Sequence, residues 1–363
     1  GLSMYSVAII GFGGMGKWHY RAITKQIEGL EVTGVYDIRE EACEEARFYS
    51  LHVYESATDV FADLSIDIVI IATPNDSHKD LILRGLAADK HVVCEKPVVL
   101  NSADLLEIME AEKNSKGLFT IHQNRRWDKD FRTVKSILDS NSIGRPYFIE
   151  SRVNGSSVFL HGWRDYKING GGMLFDWGVH LIDQGLLLIG EKVTSVTAHV
   201  FNVHAQEVDD NVKLLLGFES GLSVLLEIAT NCFIPMPRWH LSGANGTAII
   251  ENWECEGKIV QLADDKALKW ENDIVYTAAG PTRTMAPRPV NTTLEKALPQ
   301  IKDALGDEYH HYSSANIFYN NLLEAISGKK SLYVTSSEAL RVMQIIELAF
   351  QSAAENRGMT CSI

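Results

Sequence analysis

The sequence predicts an α/β fold in two parts: a parallel sheet covered by helices on both faces, then a second sheet that is antiparallel at least in part. Three observations carry this expectation. A glycine-rich run, Gly11-Phe12-Gly13-Gly14-Met15-Gly16, follows the apolar segment Val7-Ala8-Ile9-Ile10. Apolar segments then alternate with amphipathic ones as far as Ile121, the rhythm of a mainly parallel sheet. Beyond Asn124 strand patterns dominate, so a boundary is expected there, dividing the chain into 4–124 and 125–363.

The first element pair explains itself chemically. Glycines at this spacing permit a tight strand-to-helix turn, close backbone approach to a pyrophosphate and tight packing of helix on sheet. The helix N-terminus then faces the anion, which is the arrangement of a Rossmann dinucleotide-binding domain. Leu30–Tyr36 reads as the second strand and ends on Asp37, where an acidic side chain meets the adenosine ribose diol. Asp37 and Ile38 are therefore assigned to the cofactor, although Asp37 also reads as a cap for the helix beginning Arg39-Glu40-Glu41. A carboxylate at this place repels a ribose phosphate, so NAD is favoured; NADP stays possible because Arg39 offers compensating charge.

The helix through Glu44 and Phe48 leads to a strand at Ile68–Ile71, a helix over 81–87 and a strand at His91–Cys94. A helix over 103–114, capped by Asn101 or Ser102, precedes a strand over 118–121. After one more helix over 130–140, strands are expected over 147–150, 193–203, 212–218, 222–229 and 247–250. Glu219-Ser220-Gly221 has the composition of a hairpin turn. Residues 278–291, rich in Pro, Thr and Arg, read as a long loop; a helical region begins near Tyr312, with 345–350 on its buried face.

Composition narrows the function classes. At 363 residues the chain exceeds what one core ordinarily supports. A formal charge of −13 argues against nucleic acid as a partner, and only weakly against anionic substrates, since a local basic pocket overrides a global charge. Cys43, Cys94, Cys232, Cys255 and Cys361 are scattered without a metal-type pair, which fits a reducing cytoplasm. No segment has the apolar length of a membrane span.

Four further clusters carry chemistry. Thr73-Pro74-Asn75, with His78 a turn later, follows the third strand, at the sheet edge where open parallel sheets bind ligands; Asn75 or Ser77 also serves as a helix cap. Glu95-Lys96-Pro97 follows the fourth strand. Lys96 there orients a substrate hydroxyl and favours its alkoxide, unless it is simply a surface lysine paired with Glu95. The stretch 170–183 reads as a helix after a glycine entry, with Asp176, His180 and Asp183 on one side. His180 suits proton abstraction and Asp176 the orientation of imidazole or substrate; a structural Asp–His pair or a divalent-metal set are the alternatives. The positive charge of Lys96 opposes a cation, so no metal is assigned. Finally, His122-Gln123-Asn124-Arg125-Arg126-Trp127 lies at the domain join, and Arg126, Trp127 and Trp163 are assigned to substrate.

Taken together, the glycine turn, Thr73-Pro74-Asn75, Glu95-Lys96-Pro97 and the later segment with Asp176 and His180 resemble the glucose-fructose oxidoreductase and inositol dehydrogenase (Gfo/Idh/MocA) family in content and order. The resemblance implies NAD(P)-dependent oxidation of a cyclitol or sugar hydroxyl, with Lys96, Asp176 and His180 forming the catalytic pocket. It further implies a large, mostly antiparallel second sheet used in homodimers or homotetramers. Asn124-Arg125-Arg126-Trp127-Asp128 and His180-Leu181-Ile182-Asp183-Gln184 are similar to branches with scyllo-inositol dehydrogenases, some of them NADP-dependent, and Gly280-Pro281-Thr282-Arg283-Thr284 resembles a subgroup feature. Other relatives cleave glycosides with transient oxidation by NAD, or act as nonenzymatic nucleotide-binding regulators; intact Lys96, Asp176 and His180 favour an enzyme over a regulator.

Overall fold

Runs of valine, isoleucine and alanine without polar alternation form strands only where both sheet faces are covered, and the first part of the chain is built from such runs. The computed structural model describes residues 3–285, 290–303 and 305–363. In order come β1 (Tyr5–Ile10), α1 (Gly14–Gln26), β2 (Leu30–Tyr36), α2 (Glu40–Phe48), β3 (His52–Val53), α3 (Ala57–Ala62), β4 (Ile68–Ile71), α4 (His78–Ala87), β5 (His91–Cys94), α5 (Ser102–Lys113) and β6 (Phe119–Ile121). The six strands are parallel and lie in the order β3-β2-β1-β4-β5-β6. The order reverses between β1 and β4, so their carboxyl ends flank the crevice where such sheets take ligands. The two-residue β3 and six-residue α3 escape sequence reading because neither spans enough residues to show a period.

The second part contains α6 (Lys129–Asp139), β7 (Pro146–Asn154), α7 (Met173–Asp176), α8 (Gly178–Leu188), β8 (Val193–Phe201), β9 (Asn211–Phe218), β10 (Ser223–Ala229), β11 (Trp239–Gly243), β12 (Gly246–Ile250), β13 (Gly257–Leu262), α9 (Lys266–Lys269), β14 (Ile274–Thr277), β15 (Gly280–Arg283), β16 (Thr293–Ala297), α10 (Ser313–Ile326), α11 (Ser336–Glu355) and β17 (Met359–Thr360). Nine strands make one sheet, β16-β13-β12-β11-β7-β10-β9-β8-β17, antiparallel throughout except for the β7–β10 pair. Alternate residues of β10, Val224, Leu226 and Ile228, are buried in a core shared with α8 and α11. The hairpin at 219–221 forms as read, with Gly221 at φ +91° and Phe218 N donating to Leu222 O at 3.0 Å.

Three expectations need correction. The single helix read across 170–183 is two, α7 and α8, joined at Trp177. The loop read over 278–291 contains β15, which pairs with β14 as a separate ribbon; both strands are almost wholly exposed, so no buried face marked them, and residues 286–289 lie outside the described residues. The helical region from Tyr312 is two helices of different allegiance. Ala315, Phe318, Tyr319 and Leu322 of α10 join the core of the first sheet, whereas α11 contributes Ala339 and Met343 to that core and Val342, Ile345, Ile346 and Ala349 to the second. Among the described residues, no helix is long and apolar enough to cross a membrane.

Candidate active site

At the carboxyl ends of β1, β2, β4 and β5 opens a cavity of about 1330 Å³, roomy enough for a dinucleotide beside a small substrate. Its nucleotide wall follows from the glycine turn. Gly11 sits at φ +93°, where a Cβ would collide with the Ala72 carbonyl, and a Cβ at Gly16 would overlap the Gly11 carbonyl oxygen. A Cβ at Gly14 would meet nothing within 4 Å, so the space beside the α1 N-terminus is open, and no side chain caps that terminus. Exposed N–H groups facing an open cradle fit a pyrophosphate. Gly11, Gly13, Gly14, Met15, Asp37, Ile38, Thr73, Pro74, Asn75, Glu95 and Lys96 all line the cavity.

Asp37 lines the cavity at the end of β2. Its carboxylate accepts from Phe12 N at 2.7 Å and from Arg39 N at 2.9 Å, while the Arg39 side chain bonds both oxygens. Burial alone would raise the carboxyl pKa, but the Arg39 side chain and these backbone N–H groups hold it below the ordinary value. The arrangement presents an ionised acid fixed at the end of β2.

The opposite wall joins the two parts of the chain. Lys96 Nζ donates to Asp176 Oδ1 at 3.0 Å and to the Asp176 carbonyl at 2.8 Å, and Arg164 Nε donates to Asp176 Oδ2 at 2.9 Å. Burial pushes the Lys96 ammonium pKa down against the pull of Asp176; burial also raises Asp176, but Lys96 and Arg164 hold it low. His180 lines the same cavity with its imidazole well below the ordinary value, first through burial and then through the charges of Lys96 and Arg125. It therefore stands neutral at pH 7, able to accept a proton. The Asp176 carboxylate bonds Lys96 and Arg164 rather than the His180 ring, so its direct partners are the ammonium and the guanidinium.

Beneath Lys96 lies an arrangement with no local signature in sequence. Glu95 Oε1 accepts from His19 Nε2 at 2.6 Å and His122 Nδ1 at 2.8 Å, and the Tyr319 hydroxyl meets His19 Nδ1 at 2.5 Å. Burial would raise Glu95, yet the two imidazoles hold it well below the ordinary carboxyl value. These three residues also form a cluster of metal-ligand types, their candidate ligand atoms within 4.8 Å of one another, at hydrogen-bond separations.

Comparison with known proteins shows the family. Residues 5–123 match the family described as "Oxidoreductase family, NAD-binding Rossmann fold", and 131–249 match the "GFO/IDH/MocA C-terminal domain". The chain belongs to the Gfo/Idh/MocA family. A solved NAD-binding protein from Listeria innocua shares 40% identity and a TM-score of 0.86, covering 99% of this chain and 100% of that one. An uncharacterised oxidoreductase of Schizosaccharomyces pombe is 34% identical over 330 residues, 85% of this chain and 84% of its own. A scyllo-inositol 2-dehydrogenase (NADP(+)) of Bacillus subtilis is 26% identical over 359 residues, covering 97% and 94%.

Within this Gfo/Idh/MocA fold several residues assigned from sequence lie away from the cavity. Phe12 is buried against Tyr20 and Tyr49, and Gly16 packs α1 onto β1, so both shape the turn from behind. His78 is fully buried, its ring nitrogens 2.9 Å from the carbonyls of Thr73 and Pro97, and thus ties together the two loops that do line the cavity. The substrate assignments of Arg126 and Trp127 are corrected. Arg126 Nε and Nη2 bond both oxygens of Asp183 at 2.8 and 2.7 Å, while Trp127 packs between Phe318 and Tyr333. Asp183 consequently does not converge with Asp176 and His180, and the three-residue metal alternative loses a member. Trp163 does line the cavity, beside Arg164. Arg125 and Arg164, each adjoining a residue assigned to substrate from sequence, also line the cavity.

Proposed function

We propose that this protein reversibly oxidises a secondary hydroxyl of a cyclitol or sugar, with NAD favoured as cofactor. The observation that carries the reading is Lys96 held on Asp176 beside a buried, neutral His180, on the wall facing the open glycine turn. A nicotinamide dinucleotide bound along that turn supplies the hydride acceptor. Lys96 holds the substrate oxygen and stabilises its developing negative charge, His180 takes the hydroxyl proton, and Asp176 fixes the ammonium's direction. Residues 4–124 hold the nucleotide and 125–363 supply most of the substrate wall. The scyllo-inositol relative supports a cyclitol, and exposed Phe201 and Leu215 on one face of the second sheet support a homodimer or homotetramer, which light scattering tests.

The deciding experiment is a matrix of NAD and NADP against cyclitols and sugars, read by nicotinamide absorbance and product identity. Oxidation of at least one polyol is expected; no reduced cofactor with any pair would count against the proposal. The ionised Asp37 supports NAD, since a second phosphate beside it meets a like charge. Asp37→Asn should narrow the NAD-to-NADP ratio of kcat/KM by about tenfold, the effect of losing one close charge repulsion.

A further inference from the structure

The substrate end of the cavity is a wall of donors. Lys96, Arg125 and Arg164 line it, whereas each neighbouring carboxylate already accepts from at least one cation or imidazole. Asp176 gives one oxygen to Lys96 and the other to Arg164, Glu95 Oε1 serves two imidazoles, and Asp128 Oδ2 takes Arg125 Nη1 at 2.9 Å. Formal charges of these six groups cancel. Hydrogen-bonding capacity does not. Arg164 uses only Nε and Arg125 only Nη1 among the described residues, so each guanidinium keeps further N–H groups for a ligand.

Both guanidiniums are also held in orientation. The Arg125 guanidinium carbon lies 4.3 Å from the Trp177 ring centroid and 5.7 Å from that of Trp253; that of Arg164 lies 4.7 Å from Trp163. Stacking on indoles fixes the planar fork before a ligand arrives, which lowers the ordering cost of a two-point contact. A neutral polyol brings a donor with every hydroxyl and needs acceptors, which are few on this wall. A carboxylate brings acceptors alone and matches the fork.

We infer that the preferred substrate is a polyol bearing a carboxylate, held by Arg125 and Arg164 while its secondary hydroxyl meets Lys96 and His180. This rests on the reaction proposed above and narrows its substrate class. The negative net charge of the chain does not oppose it, because the donors that meet the substrate are local.

The test compares glucuronate and gluconate with glucose and glucitol on the holoprotein, together with titration of malonate as an unreactive probe. Carboxylated substrates should exceed their neutral counterparts in kcat/KM by about tenfold or more, the scale of one charge-assisted contact. Malonate should bind and compete. Arg125→Met should erase most of the preference and of the malonate binding, and Arg125→Lys should restore part of each. Equal or better turnover of neutral polyols without malonate binding overturns the inference while leaving the oxidation intact. Preference for glucose 6-phosphate over glucuronate overturns the carboxylate assignment. If nothing is oxidised, the proposed reaction fails, and malonate binding sensitive to Arg125 still decides the carboxylate site: its presence supports the site and its absence overturns it.

Discussion

Asp176 and Asp183 lie seven positions apart on neighbouring helices, each buried and each paired with a cation, yet they do different things. Asp183 gives both oxygens to one guanidinium, and that guanidinium also donates to the Tyr333 carbonyl at 2.7 Å and approaches Glu338 at 3.4 Å. Arg126 and Asp183 are only 4% and 6% exposed, so the pair is sealed. Asp176 divides its oxygens between Lys96 and Arg164 at the edge of a cavity. A divided pair beside open space can yield one partner to a substrate. A bidentate pair between helices can only hold the protein together.

The largest expected effect breaks the cavity-side pair: Lys96→Met should lower turnover by about 10²–10⁴, the range for proton-transfer and charge-stabilising groups, with nucleotide binding retained in calorimetry. Undiminished turnover would remove Lys96 from the mechanism. On the sealed side, Arg126→Met strands a buried carboxylate and should cost about 3–5 kcal/mol in denaturant unfolding, with kcat of the folded protein near the parent value. A collapse of turnover without loss of stability would erase the distinction between the two pairs.

His180 sharpens the comparison through pH. Burial and the charges of Lys96 and Arg125 disfavour the imidazolium, so the neutral base persists below the ordinary histidine value of 6.5. Oxidation should therefore hold its rate as pH falls through 6.5 and decline only in more acid solution. His180→Asn should lose about 10²-fold in rate and with it that acid limb; an unchanged profile would exclude proton transfer through His180. The smallest effect is expected next to the sealed pair. Thr335 and Glu338 form a capping box at the start of α11, and Glu338 also faces Arg126, so Thr335→Ala should cost about 1 kcal/mol and leave the pH profile alone.

What sequence revealed of this site was what it wrote locally. The glycine turn, Asp37 closing β2 and Lys96 closing β5 are each fixed by residues adjacent in the chain, and Gly11, Gly13, Gly14, Met15, Asp37 and Lys96 line the cavity. Arg126 defeated local reading because its partner is 57 positions away, where a guanidinium near a presumed join looks the same whether it meets a substrate or Asp183. The histidines around Glu95 are 76 and 27 positions distant from it, and Tyr319 is 300 from His19, so no spacing rule could unite them. For the fold, residue patterning sufficed for most of the long buried strands, while β11 inside the second sheet, β13 and β16 towards its edge and the packing of α10 on the first core depend on contacts made only after the chain has returned.

The double allegiance of α11 bears on how this protein can melt and be cut. At twenty residues it is a rod of about 30 Å. It packs on α5 and β6 at the nucleotide side and on α8 and β8 at the other, and its neighbours Val342 and Met343 belong to different cores. Such a rod pins the two halves to each other. Heat should dissolve both in one transition, and a fragment ending at residue 124 would expose the first core where Phe318, Tyr319 and Met343 had lain.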